Sequence, residues 1–227
     1  MFDGITYINL AHRHDRKTHV LNELAKISSI STNIHRIDAV LEPLCGHLGC
    51  GQSHVKALEL AIEQGWESVL IVEDDLIFTQ PADVLHSRIS DAFSIDWDVL
   101  MLGFGHISSN VVKHPYLAQV TGATCAHGYI VRKHFYHILL ATFQNSVEIM
   151  RDELANHIKA CKDNITKLNY CSAIDQKWRP LQDKHTFYCF NPVLGDQYGK
   201  LYSDNNCSIE YQKNYLQDTT KLSMTPK

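Results

Sequence analysis

Apolar positions follow two rhythms along this chain, and the changes of rhythm outline its elements. The run ITYINL is short and β-rich and predicts a strand. Polar AHRHDRKT follows, after which Val20, Leu21, Leu24 and Ile27 recur at helical spacing. HRIDAV predicts a second strand, and LEPLCGHLGCGQS carries the Gly and Pro of a loop. From Ser53 onward Val55, Leu58, Ala61 and Ile62 predict a helix, with Ser53 as N-cap and Gly65 as stop. SVLIV comes next, and a continuous apolar run of this kind suits a strand covered on both faces, as in a parallel sheet between helix layers. WDVLMLGF predicts another buried strand, and YLAQVTGATCAHGYIV one or two more. Helices are expected near 134–142 and 147–161, with TFYCFNPV as a last apolar piece. Beyond Asp204 the chain turns polar, so one α/β domain is expected over 1–210 and a polar tail over 211–227.

The apolar run at Ser68 ends in three acidic residues, Glu73, Asp74 and Asp75. Adjacent carboxylates repel, and burying them unpaired costs several kcal/mol each, so the fold must supply a cation or leave them in water. Open α/β sheets bind ligands beyond the carboxyl ends of their strands, where this triplet is expected. A hard divalent ion, Mn²⁺ or Mg²⁺, prefers such oxygen ligands and often shares them with phosphate. A solvated acidic turn is the plainer alternative.

Arg13 and Arg16 follow the first predicted strand, where guanidinium groups pair with phosphate or stack on a base; a solvated loop is the rival reading. His12, His14 and His19 are spaced like surface polar residues. LGCGQSH sets two glycines beside a helix start, so backbone amides can approach a ligand there, although Ser53 and His54 also suit a cap and a first-turn polar residue. Asp175, in YCSAIDQKW, sits in the expected first turn of a late helix with Ser172 as N-cap. It serves either the helix dipole or, if it faces the crevice, as a proton acceptor.

Composition narrows the partners. A net charge of -4 with no Lys/Arg run gives no basic surface for nucleic acid. No segment reaches the length of a membrane span, and MFDGITYINL has no signal-peptide pattern, so a soluble, cytoplasmic protein is expected. The seven cysteines lack CxxC spacing and read as reduced thiols. The sequons at Asn164 and Asn206 matter only in a secretory compartment and are read as chance.

Taken in order, INLAHRHDR, LGCGQSH, VEDDLIF, DWDVLMLG, HGYIV, IDQKW, NPVLGDQ and YSDNNCSIE resemble the motifs of glycosyltransferase family 25, which includes lipooligosaccharide and collagen β-galactosyltransferases. The resemblance spans Ile5 to Glu210. It implies a GT-A type nucleotide-sugar-binding fold with a mostly parallel central sheet flanked by helices. It further implies metal-dependent, inverting transfer of a hexose, galactose in most members, from a UDP-sugar to a hydroxyl on a glycan or protein.

By position, Asp75 then corresponds to the metal ligand, with Glu73 beside it, and Glu73 or Asp74 lies nearer the ribose or donor sugar. Asn9, Arg13 and Arg16 correspond to the nucleotide edge, and Ser53, His54 and Lys56 to neighbours of the diphosphate. Asp175 is the expected base; Asp98, Asp196 and Asp204 are its rivals, and one of these or a histidine such as His127 is a candidate to complete the metal shell. RKHFYHI after the YIV strand is bulkier and more basic than the family's pattern, so the acceptor does not carry over. A carboxylate-metal phosphohydrolase also suits an acidic strand end, but no second acidic cluster for a two-metal site is evident. A catalytically silent nucleotide-sugar-binding protein is the third reading.

Overall fold

The computed structural model describes residues 1–161 and 172–199. Motif YSDNNCSIE, Asp204, both sequons and the expected tail lie outside these residues. The first strand, β1 (Gly4–Asn9), leads through α1 (His14–Ala25) to β2 (Ile34–Asp38), α2 (Gly46–Glu63) and β3 (Ser68–Glu73). A short β4 (Leu76–Phe78), α3 (Ala82–Ala92) and β5 (Val99–Met101) follow. Then come β6 (Ser109–His114), β7 (Leu117–Thr121) and β8 (Gly128–Arg132). A 3₁₀ turn at Lys133–Phe135 opens α4 (Tyr136–Cys161), and the chain closes with α5 (Ile174–Lys177), α6 (Arg179–Gln182), β9 (Phe187–Phe190) and β10 (Gly195–Gln197).

Eight strands form one sheet in the order β2-β1-β3-β8-β5-β9-β7-β6. The pairings make β1, β2, β3, β5, β6 and β9 run one way and β7 and β8 the other, giving the expected mostly parallel central sheet flanked by helices. Its centre is apolar on both faces because both faces are covered. Val69, Leu70, Ile71 and Val72 are fully buried. One face meets α2 and α4 through Ile71, Ala57, Leu58, Leu139 and Phe143, and the other meets α1 and α3 through Leu70, Leu24, Leu85 and Ile89. Burying each such aliphatic side chain contributes about 1.5–3 kcal/mol, which holds β3 and hence its acidic end in place.

Several expectations are corrected. Helix α2 starts at Gly46 with Cys45 as N-cap, so Ser53 is not a cap but lies inside the helix. Its Oγ donates to the Gly49 carbonyl and accepts from the Val40 amide, tying α2 to the end of β2. The glycines that signal a loop serve close packing instead: a Cβ on Gly51 would press on Val147, Ile174 and Met150. The two expected helices over 134–161 are mostly one, α4, because polar Ser146 is accommodated by donating to the Ser172 carbonyl at 2.5 Å. Ser172 does not cap α5; Ala173 does, and Ser172 Oγ donates to Glu153 on α4. Helix α3 and strands β4, β6 and β10 have no counterpart in the sequence reading. The edge strand β6 is almost wholly exposed and so lacks the alternation that marks a strand.

Candidate functional site

The carboxyl ends of β1, β2 and β3 open into a cleft containing about 640 Å³ of empty space, part of it open to solvent. Ile8, Leu10, Ala39, Val40 and Leu41 form an apolar wall, and Glu73, Asp74, Asp75 and Arg16 a charged one. The triplet gets there because β3 ends at Glu73 and the chain turns at once through Asp74 and Asp75 into β4. The turn is pinned from outside by the Tyr198 amide, which donates to the Asp75 carbonyl at 2.7 Å. Tyr198 in turn stacks on His19, whose Nε2 lies 2.8 Å from the Leu76 carbonyl.

Arg16, on α1, forks between two of the carboxylates. Its two terminal nitrogens donate to Asp74 at 2.6 Å and to Asp75 at 3.1 Å. A planar guanidinium can bridge two carboxylates in this way, whereas a lysine offers one point charge. Asn9 Nδ2 donates to the second Asp74 oxygen at 2.7 Å and to the Arg13 carbonyl at 3.1 Å. Arg36 completes this edge by donating to the Asn9 side-chain and main-chain oxygens. Two expected nucleotide-edge residues, Asn9 and Arg16, therefore hold the acidic turn directly. Arg13 pairs with Asp15 at 2.9 Å.

Each carboxylate of the triplet has a different environment. Glu73 faces α2: Cys50 Sγ donates to its Oε1 at 3.3 Å, and His54 Nε2 lies 3.3 Å from the same oxygen. Burial pushes the Glu73 carboxyl up, but His54 and the charge of His127 outweigh it and hold the group at about 2. Asp74 is raised by burial, against the opposing pull of Arg16 and Asn9. Asp75 is pushed up to about 7 by burial and by the charge of Glu73, with Arg16 opposing. Its Oδ1 is buried and has no hydrogen-bond partner among the described residues. Three carboxylates against one guanidinium, with one buried oxygen left over, fit a cation bound at Asp75.

The other expected residues fall around this centre. His54 is fully buried, its Nδ1 3.0 Å from the Tyr129 hydroxyl. Lys56 is exposed and donates to the Asp38 carbonyl at the end of β2. Asp175 is half-buried and accepts the Cys125 amide at 3.0 Å. Its charge, with those of Glu73 and Asp75, acts on both Cys50 and Cys125, so it lies on the same side of the fold. Asp196 is exposed on β10. Asp98 precedes β5 and so lies at the amino-terminal edge of the sheet, opposite the cleft.

Sequence reasoning missed Cys50 and Cys125. Cys50 stands four residues before His54, so placing the helix start at Gly46 would have revealed both on one face. Cys125 has φ 80°, uncommon for a residue with a side chain. That conformation is held by Asp175 on its amide and by Sγ contacts to Gln197 at 3.4 Å and His127 Nδ1 at 3.2 Å. Nothing local in the sequence signals it. Burial keeps the His127 ring toward its neutral form, opposed by the charge of Glu73 and by the nearby Gly195 carbonyl, which falls short of a hydrogen bond to its Nε2.

No family model and no curated protein matches the chain. Among solved structures, A197 from STIV is similar over 90% of this chain and 87% of its own, with a TM-score of 0.52 and 8% identity. A mannose-1-phosphate geranyltransferase from Thermus thermophilus is similar over 83% of this chain and 73% of its own, at TM-score 0.45 and 8% identity. A glycosyltransferase involved in the glycosylation of the major capsid of PBCV-1 is similar over 92% and 98%, at TM-score 0.41 and 10% identity. At such identities the likeness to A197, which spans most of both chains, is one of fold, and the chemistry has to be read from the cleft itself.

Proposed function

We propose that this chain is a metal-dependent, inverting glycosyltransferase of the family-25 kind. In this reading it moves a hexose, galactose by resemblance, from a UDP-sugar to a hydroxyl on a glycan or protein. The observation that carries it is the buried Asp75 Oδ1, without a hydrogen-bond partner among the described residues, in a cleft at the carboxyl ends of parallel strands. Asp75 and Glu73 would hold Mn²⁺ or Mg²⁺, and the bound ion would stabilise negative charge on the departing diphosphate.

The chain's own residues do the rest. The apolar wall of Ile8, Ala39 and Val40 offers a dry surface for the base, and Arg16 and Asn9 fix the acidic turn so that it needs no rearrangement on binding. Ser53 holds the strand end that forms this wall through the Val40 amide. Asp175 is assigned as the base. It takes the proton from the acceptor hydroxyl as that oxygen attacks the anomeric carbon and UDP leaves from the opposite face.

Titration with UDP-galactose, UDP-glucose and a GDP-sugar, with and without Mn²⁺, tests the reading. A UDP-sugar should bind only with the metal, and Asp75→Asn should abolish that binding while the far-UV spectrum stays native. Asp175→Asn should keep donor binding and lose transfer by about 10²-fold or more. Metal-independent donor binding, or unchanged affinity in Asp75→Asn, overturns the metal assignment, and full transfer in Asp175→Asn removes it as the base.

A further inference from the structure

Cys50 and His54, four residues apart on α2, present their side chains on one face toward the last residue of β3, Glu73. The three potential ligand atoms all lie within 4.8 Å of one another. Glu73 Oε1 is 3.3 Å from Cys50 Sγ and 3.3 Å from His54 Nε2. Four ligands arranged tetrahedrally at about 2.0–2.3 Å from a zinc ion stand about 3.3–3.8 Å apart; the two Glu73 contacts match that spacing, and the remaining pair, Cys50 Sγ and His54 Nε2, lies within 4.8 Å.

The surroundings are built like those of a ligand set. His54 is fully buried and packed against Tyr129 and Phe143, so its ring cannot swing away. The Tyr129 hydroxyl stands 3.0 Å from Nδ1; with an ion bound, an Nδ1–H donated to it would leave the Nε2 lone pair for the ion in place of the Nε2 contact to Glu73. Imidazole ligands of metals are commonly oriented by such an outer contact. Cys50 and Glu73 both line the cleft, so the fourth side of the trio faces open space. A site with three protein ligands and one open position is the form that catalytic zinc takes.

We propose that Cys50, His54 and Glu73 form a three-ligand site for a borderline-soft divalent cation, zinc above all, whose fourth position opens into the cleft. Sulfur and imidazole nitrogen select zinc over manganese or magnesium, which prefer all-oxygen sites. On binding, the Cys50 thiol gives its proton to solvent and the thiolate sulfur bonds to the ion, with no change of oxidation state. The site shares Glu73 with the cation reading at Asp75 but does not depend on it.

The test uses the whole chain, stripped with chelator and checked for native far-UV signal. Zinc should bind with one equivalent in competition against a chromophoric chelator. Co²⁺ should give tetrahedral d–d bands together with a thiolate-to-metal charge-transfer band. Cys50→Ser should lose the charge-transfer band and weaken zinc binding by about tenfold or more, while Cys189→Ala, altered on β9, should keep both. X-ray absorption of the zinc-loaded wild-type protein should show one sulfur among nitrogen and oxygen ligands, a readout that stands even if Cys50→Ser fails to fold. A full charge-transfer band in folded Cys50→Ser, absence of sulfur from the zinc shell, or no stoichiometric zinc binding overturns the proposal and leaves a purely hydrogen-bonded trio. Manganese-dependent donor binding is read separately on Asp75→Asn, so either assignment can fail alone.

Discussion

Asp75 and Glu73, two residues apart, respond to pH in opposite ways. The folded state holds Asp75 at about 7, above its value of 3.8 in a free chain, so the native protein binds the proton more tightly than the unfolded one. Its contribution to stability is therefore full below about pH 4 and is lost as pH rises through about 7. Glu73, held at about 2, contributes stability that is full above about pH 4.5 and lost as pH falls toward 2. The amide of Asp75→Asn stands in for the protonated acid. In chelator, this variant should match the wild type below about pH 4, gain an advantage that grows as pH rises from there, and hold it constant above about pH 7, read as urea midpoints across the range. A constant difference between the two at every pH would show that Asp75 does not titrate in this window. Bound metal should erase the difference, since a cation at Asp75 favours the ionised form.

At the scale of elements, α2 couples the core to the cleft. One face carries Ala57, Leu58 and Ala61 into the sheet, and its first turns bring Cys50, Ser53 and His54 to the strand ends. This is possible because Gly51 lets the helix lie close to α4 and α5. Gly51→Val would improve local helix propensity, yet its branched side chain has to displace Val147, Ile174 or Met150. Overpacking of this kind costs about 1–3 kcal/mol, which should appear as a lower urea midpoint at unchanged slope. Because the displaced segment carries Cys50 and His54, donor affinity should fall in the same variant. The helix start escaped sequence reading because Gly46, Gly49 and Gly51 have loop propensity, whereas their tertiary setting is not legible locally: Gly51 packs against α4 and α5, and Gly49 against the backbone of Val40 and Glu42 after β2.

For the molecule as a whole, strand direction separates two edges of the sheet with different work. The carboxyl ends of β1, β2 and β3 gather the ionisable cluster around the cleft. The opposite edge is locked by Asp98, which accepts from the Thr186 amide at 2.7 Å and lies 2.7 Å from His134 Nε2, joining β5, β9 and the turn before α4. Asp98→Asn should therefore lower stability by about 1–2 kcal/mol in chemical denaturation and leave donor binding unchanged. Loss of donor binding in a folded Asp98→Asn would contradict this division of labour. Among the described residues, no helix is long and apolar enough to cross a membrane.

The sequence by itself determined the β-α-β order, the buried strand β3 and the acid triplet that ends it. These are local properties: a period of two or 3.6, a run of apolar residues, and the position where it stops. Tertiary structure alone decided which carboxylate is braced and which oxygen is left over. Arg16 stands 58 residues from Asp74 and 59 from Asp75, and Asp175 stands 50 from Cys125. It also chose Cys50 and His54 as the neighbours of Glu73, and put Asp98 at the far edge. The reason is physical: periodicity records which face of an element is removed from water, whereas the fate of a charge is set by the groups that folding brings within a few ångströms of it.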